Sequence, residues 1–290
     1  LLGFIFKSAF PMSIPEVLYK YRAFNQFTVM SLINRSVWFS KPTTFNDPFD
    51  CQIKFCEAKP SKDAYLKMIE QARLKLENKI GRNVTLSIPN SVFVGEELSA
   101  DYMEQISDFR EQIETIMSES SVLSLSENNT NTTMWSHYAD CHQGICVAYD
   151  MSKLFGTADT TMITHKVDYV DADKISVNQY AKYAECCCGN DNEEFNSIVR
   201  EMLTTKSKDW EYEHEWRVIC EQLGNLNAGA NAVHAVYFGL KASIDVKMTI
   251  RNIFESNPIR YYQMVRSSEG LAIEAVEMPI GSRYWQECPE

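Results

Sequence analysis

The sequence predicts an α+β fold, a mainly antiparallel mixed sheet with a helical insertion, on three observations. Short alternating or continuous apolar runs outnumber what a helical bundle would carry. Most of them follow one another with short connections, which favours antiparallel sheet over a doubly wound parallel one. A longer segment with apolar residues three or four apart at 61–80 and an acidic helical segment at 96–117 supply the insertion, at about residues 61–117. Within 290 residues there is no internal repeat and no clear linker, so residues 12–290 read as one domain behind a leader or appended extension at residues 1–11.

Composition narrows the function classes. The chain is 45% hydrophobic and 12% aromatic, as a globular protein is. A net charge of -11 argues against broad, non-specific binding to nucleic acid or anionic membrane, while leaving a local basic groove open. Nine cysteines, three of them consecutive at Cys186, Cys187 and Cys188, favour free thiols in a reducing, cytoplasmic compartment. The apolar start carries Lys7 and has about half the length needed to span a bilayer, and no later stretch reaches that length.

Residues 17–22 read as a strand ending on Arg22. Residues 25–34 then fit a short helix, with Phe27, Met30 and Ile33 three apart. A strand at 37–40 ends on Ser40. The Pro- and Asn-Asp-containing segment 41–50 follows as an ordered loop, which Phe45 and Phe49 should anchor, holding Asn46, Asp47 and Asp50 in place. Residues 61–80 form an amphipathic helix on Tyr65, Met68, Ile69, Ala72 and Leu76. After a break at 81–95 an acidic helix runs over 96–117.

Residues 121–126 are a strand, and 132–141 a short helix capped by Thr132 or Thr133, with Gly144 in the left-handed position after it. A buried strand follows at 145–149 and another strand at 165–170. Helices span 177–188 and 192–205. Strand 232–240, helix 241–256 and strands 261–265 and 271–276 complete the chain.

The densest stretch is 208–219, where charged residues alternate with large aromatics. If 210–219 is extended, Glu211, Glu213, Glu215, Arg217 and Ile219 share one face, opposite Trp210, Tyr212, His214, Trp216 and Val218. That charged face is either a solvated edge with Arg217 balancing Glu215, or a surface that binds something. Cys141, His142 and Cys146 lack the second ligand pair of ordinary zinc sites, and the four-residue spacing of His137 and Cys141 is common to any helix.

Four blocks carry a resemblance: Leu18-Tyr-Lys-Tyr-Arg22, Trp38-Phe-Ser-Lys-Pro-Thr-Thr-Phe-Asn-Asp-Pro-Phe-Asp50, Met134-Trp-Ser-His-Tyr-Ala-Asp-Cys-His-Gln-Gly-Ile-Cys146 and Trp210-Glu-Tyr-Glu-His-Glu-Trp-Arg217. In this order they resemble the bacterial family catalogued as domain of unknown function 2971. More distantly, an early strand ending in Arg, a strand ending in Ser and a late Glu-x-Glu resemble the layout of ADP-ribosyltransferases, which split NAD and transfer ADP-ribose. That resemblance implies that Arg22 holds NAD phosphate, Ser40 supports the nicotinamide ribose, Glu215 is the catalytic carboxylate and Glu213 orients the acceptor, a protein or nucleic acid. Trp135 and Tyr138 would stack on the nicotinamide, and Asn46 and Asp47 would line the same cleft. Ser40 departs from the pattern, being followed by Lys-Pro where Thr or Ser is usual, and Ser124 or Ser126 could take its part.

A cell-defence or toxin setting belongs to this expectation. Two other classes remain: a metal-dependent nuclease or hydrolase that gathers Asp47, Asp50, Glu213 and Glu215 around magnesium, and a binding or sensor module without chemistry.

Overall fold

The apolar runs pair into one eight-stranded sheet in the computed structural model, which describes residues 13–51, 54–56, 58–85, 88–155, 162–171, 176–189, 191–229 and 231–289. The extension expected at residues 1–11 lies outside them. Across the sheet the strands run Ile273–Glu277, Arg260–Arg266, Val233–Phe238, Ile145–Asp150, Val17–Arg22, Ser121–Ser126, Glu215–Cys220, Ile163–Lys166. Val233–Phe238 and Arg260–Arg266 are parallel, with the helix Ile244–Ile253 between them in the chain, and the other neighbours are antiparallel. This is the mixed, mostly antiparallel α+β fold that the sequence predicts.

Alternation along these strands makes two buried faces. Leu18, Leu123, Val147, Trp216, Val218 and Phe238 pack on one, and Tyr21, Cys146, Ala148 and Tyr237 on the other, the latter with Trp135. A ribbon of Ser36–Phe39 with Gly224–Asn227 lies beside it in the same compact unit, and Ser40 continues onto Val122 through a two-bond bridge.

The chain divides into two compact units. One contains this sheet and is made of the described residues before Lys41, of Ser121–Val167 and of the chain from Asp209 onward; the other is Lys41–Ser120 with Asp168–Lys208. The second unit packs the helices Lys62–Ile80, Ala100–Glu119 and Gln179–Cys188 around Tyr65, Ile69, Ile106 and Tyr180. Ser61 caps the first of these through the Ala64 N–H, and Gly81, at φ 69°, closes it. Asp50 and Lys206, both buried, pair at 3.4 Å in this unit.

The structure corrects several local expectations. Residues 208–213 are a 3-10 helix, Lys208–Glu213, and the strand is Glu215–Cys220, reached through His214 at φ 44°. The physical reason is the partner: Ser121–Ser126 ends opposite Glu215, so earlier residues have no ladder to join. Nor is this strand a solvated edge, since it pairs on both sides and is buried throughout.

The helix 132–141 stops at Tyr138, is capped by Asn131 rather than a threonine, and is followed by a left-handed run at Asp140, Cys141 and His142, with φ of 48°, 51° and 70°. In helix Gln26–Ile33 the spaced apolar residues face outward, while Thr28, Ser31 and Leu32 are buried. Phe49, expected as a loop anchor, is exposed. Residues 165–170 belong to two strands, Ile163–Lys166 and Asp168–Val170, and the second pairs with Thr205–Ser207.

Candidate functional site

The first strand pairs with Ile145–Asp150 along its whole length, from Val17↔Asp150 to Arg22↔Ile145, but meets Ser121–Ser126 in register at Tyr19↔Ser126 alone among the described pairs. Beyond Tyr19, Lys20 reaches across by its side chain, Nζ donating to Ser124 O at 2.7 Å. Around the Lys20–Arg22 end of the strand, the helix Gln26–Ile33 and the Ser36–Phe39 strand enclose a cavity of about 580 Å³. This is the size of an ordinary small-molecule site.

Its electrostatics are one-sided. Lys20 and Arg22 stand in the wall and, among the described residues, no carboxylate does. Arg22 Nε is buried without a hydrogen-bond partner, and none of the described carboxylates forms an ion pair with its guanidinium. Its charge is felt nearby: burial pushes the Tyr149 phenol up, and the Arg22 charge pulls it partly back. A buried guanidinium donor left unpaired is costly.

Tyr138 brings a phenol to the cavity. Its phenol donates to Glu213 Oε1 at 2.6 Å, and Glu213 is itself buried. The two elements are tied at their ends: Asn131 caps the Tyr138 helix through the Met134 N–H at 3.0 Å and donates from Nδ2 to Tyr212 O at 2.9 Å. Ser126 Oγ donates to Glu213 O at 2.6 Å. After Tyr138 the left-handed turn is held from outside, Lys241 N–H donating to His142 O at 2.9 Å and Gly239 N–H to Gly144 O at 3.0 Å.

Gly144 is needed for close approach rather than for a left-handed backbone. A Cβ there would stand 2.2 Å from the Arg22 carbonyl oxygen. Gly239 is constrained in the same way, since its Cβ would stand 2.1 Å from His142 O. Gly144 therefore lets the turn close on the end of the Arg22 strand, and Gly239 lets it close on the segment after Val233–Phe238.

Of the residues singled out in the sequence, Arg22, Ser40 and Tyr138 line this one cavity, with Glu213 behind Tyr138. Glu215 is not in the wall. Both its oxygens are held by Arg217, Nε to Oε1 and Nη2 to Oε2, each at 3.0 Å. Trp135 is fully buried, donates Nε1–H to Asn129 O at 2.8 Å and packs edge-on against Tyr21, so no ring face is open for stacking. Asn46 and Asp47 belong to the other unit, where Asp47 Oδ1 accepts from the Phe49 N–H at 2.9 Å.

Burial pushes the Cys146 thiol up, and burial with the Lys241 charge pushes His142 down. Among the described residues no group of three or more His, Cys, Asp or Glu is arranged to hold a metal ion. Also among them, no helix is long and apolar enough to cross a membrane.

Sequence reasoning missed Lys20, Phe27 and Trp38, which also line the cavity. Lys20 was within reach, being two residues before Arg22 and so on its side of a strand.

Residues 134–218 match the model of a family described as a protein of unknown function, DUF2971. The match covers the Met134 and Trp210 blocks, and the Leu18 and Trp38 blocks fall before it. No curated protein and no solved structure matches the chain.

Proposed function

We propose that this cavity binds NAD, with Arg22 and Lys20 meeting its phosphates, in a protein of ADP-ribosyltransferase type. The observation that carries the reading is Arg22 Nε, buried without a partner, on a residue of a cavity wall in which no described residue is a carboxylate. A pyrophosphate supplies what such a wall lacks, several acceptor oxygens with delocalised charge.

In the transfer step the bond from ribose C1 to nicotinamide breaks and nicotinamide leaves with the electron pair. The acceptor nucleophile then bonds to C1 and gives up its proton. Positive charge on the sugar calls for a nearby carboxylate. Glu213, one hydrogen bond behind the cavity-lining Tyr138, supports that role better than Glu215, which has no such link to the wall. Glu215 then acts as a structural group of the strand.

A binding module without chemistry is the second reading, favoured by the same Glu215–Arg217 pair. Calorimetric titration with NAD followed by assay of nicotinamide release in the same sample separates the two. Binding with release that is lost in Glu213→Gln supports the transferase, and binding without release supports the module. Absence of binding at millimolar NAD removes both as NAD proteins.

A further inference from the structure

We infer that the mouth of this cavity, formed by Phe27 and Trp38, is a stacking platform for the planar base of a nucleotide. The inference rests on the anion-binding reading of Arg22 and adds the residues that hold the base beside the phosphates.

The helix Gln26–Ile33 is built inside out. Its buried side carries Thr28 and Ser31 beside Leu32, while Phe27 is 73% exposed and Met30 53% exposed. The buried hydroxyls are satisfied: Thr28 Oγ1 donates to Ala23 O at 2.8 Å, and Ser31 Oγ donates to Ser36 O. These bonds fix the helix's rotation, so its apolar side faces outward as a settled feature of the fold.

Trp38 points the same way. It is 50% exposed, on a strand whose neighbours Val37 and Phe39 are fully buried. Beside it is Gly224, at φ 98°, where a Cβ would meet the Trp38 ring at 3.8 Å, an ordinary packing distance. The Gly224 backbone thus lies beside the indole.

Phe27, Met30 and Trp38 line the same cavity as Lys20 and Arg22. Exposed aromatics around a basic recess are the arrangement that binds a nucleotide, with the base on the rings and the phosphates on the cations. Sequence patterning and structure disagree at this helix, and such conflicts concentrate where function outweighs packing.

The experiment measures ADP and pyrophosphate affinities of the whole chain by calorimetry, with Trp38→Leu and Phe27→Ser as variants. Both residues are exposed, so both variants fold. Stacking predicts that ADP binds roughly tenfold or more tighter than pyrophosphate. In Trp38→Leu that ratio falls toward one while pyrophosphate affinity holds. If pyrophosphate binds and the base adds nothing, or the ratio survives both variants, the platform is overturned and the anion site stands. If neither ligand binds, both readings fall. A dimer dispersed by Phe27→Ser, with no base effect, would assign the apolar face to a second copy and overturn the inference.

Discussion

Arg217 grips both carboxylate oxygens of Glu215 from two residues along the same strand, each contact 3.0 Å, with Arg217 0% and Glu215 4% exposed. The bidentate pairing makes two buried charges tolerable inside a sheet, and removing either alone breaks it. Arg217→Met should therefore lose about 3–5 kcal/mol of stability in chemical denaturation. The double variant Glu215→Leu/Arg217→Met should recover most of that loss. A double variant no more stable than the single one would contradict the pairing account.

Tyr138 and Glu213 make a testable pair of their own. Tyr138→Phe removes the donor at 2.6 Å from a buried carboxylate and should cost about 1.5–3 kcal/mol. If the transferase reading holds, kcat for nicotinamide release falls in this variant while KM for NAD moves little. A change confined to KM would place Tyr138 in binding alone.

Glu127 supplies a pH dependence. Burial pushes its carboxyl up, but hydrogen bonds from Lys166 and Trp216 outweigh this and hold it below the ordinary value of 4.5. A depressed folded-state value means that the stabilisation is present above 4.5 and is lost as pH falls through the lower folded value. Glu127→Gln should thus be less stable than the parent at pH 7, with the gap closing in acid. Parallel pH profiles of the melting temperature would count against it.

Gly144 tests the lock on the Arg22 strand. Gly144→Ala drives a Cβ to 2.2 Å from the Arg22 carbonyl, backbone against backbone, and should cost at least about 1–3 kcal/mol. Gly281→Ala, where nothing lies within 4 Å, is the control and should be near neutral. Equal melting temperatures for the two variants would show that the close approach relaxes freely.

The strands were legible wherever local pattern and tertiary demand coincide, as in Val17–Arg22, Ser121–Ser126 and Ile145–Asp150. Residues 210–219 met the alternation template equally well, yet only the part with a partner became strand. Where Ser121–Ser126 ends is information held by another segment of the chain. The left-handed run at Asp140–His142 was equally hidden, because it is held by backbone bonds from Gly239 and Lys241, about a hundred residues on. Of the site, Arg22, Ser40 and Tyr138 could be found from strand ends and aromatic blocks. The inverted helix could not, since its apolar spacing carries no sign of which side is buried.

The central claim is that Arg22 awaits an anion, and the most direct measurement is calorimetric titration of NAD into the parent chain, Arg22→Lys and Arg22→Met. The account predicts saturable binding by the parent, weaker binding by Arg22→Lys, which keeps the charge but loses the fork, and none detectable by Arg22→Met at unchanged melting temperature. Equal affinities for all three proteins would contradict it.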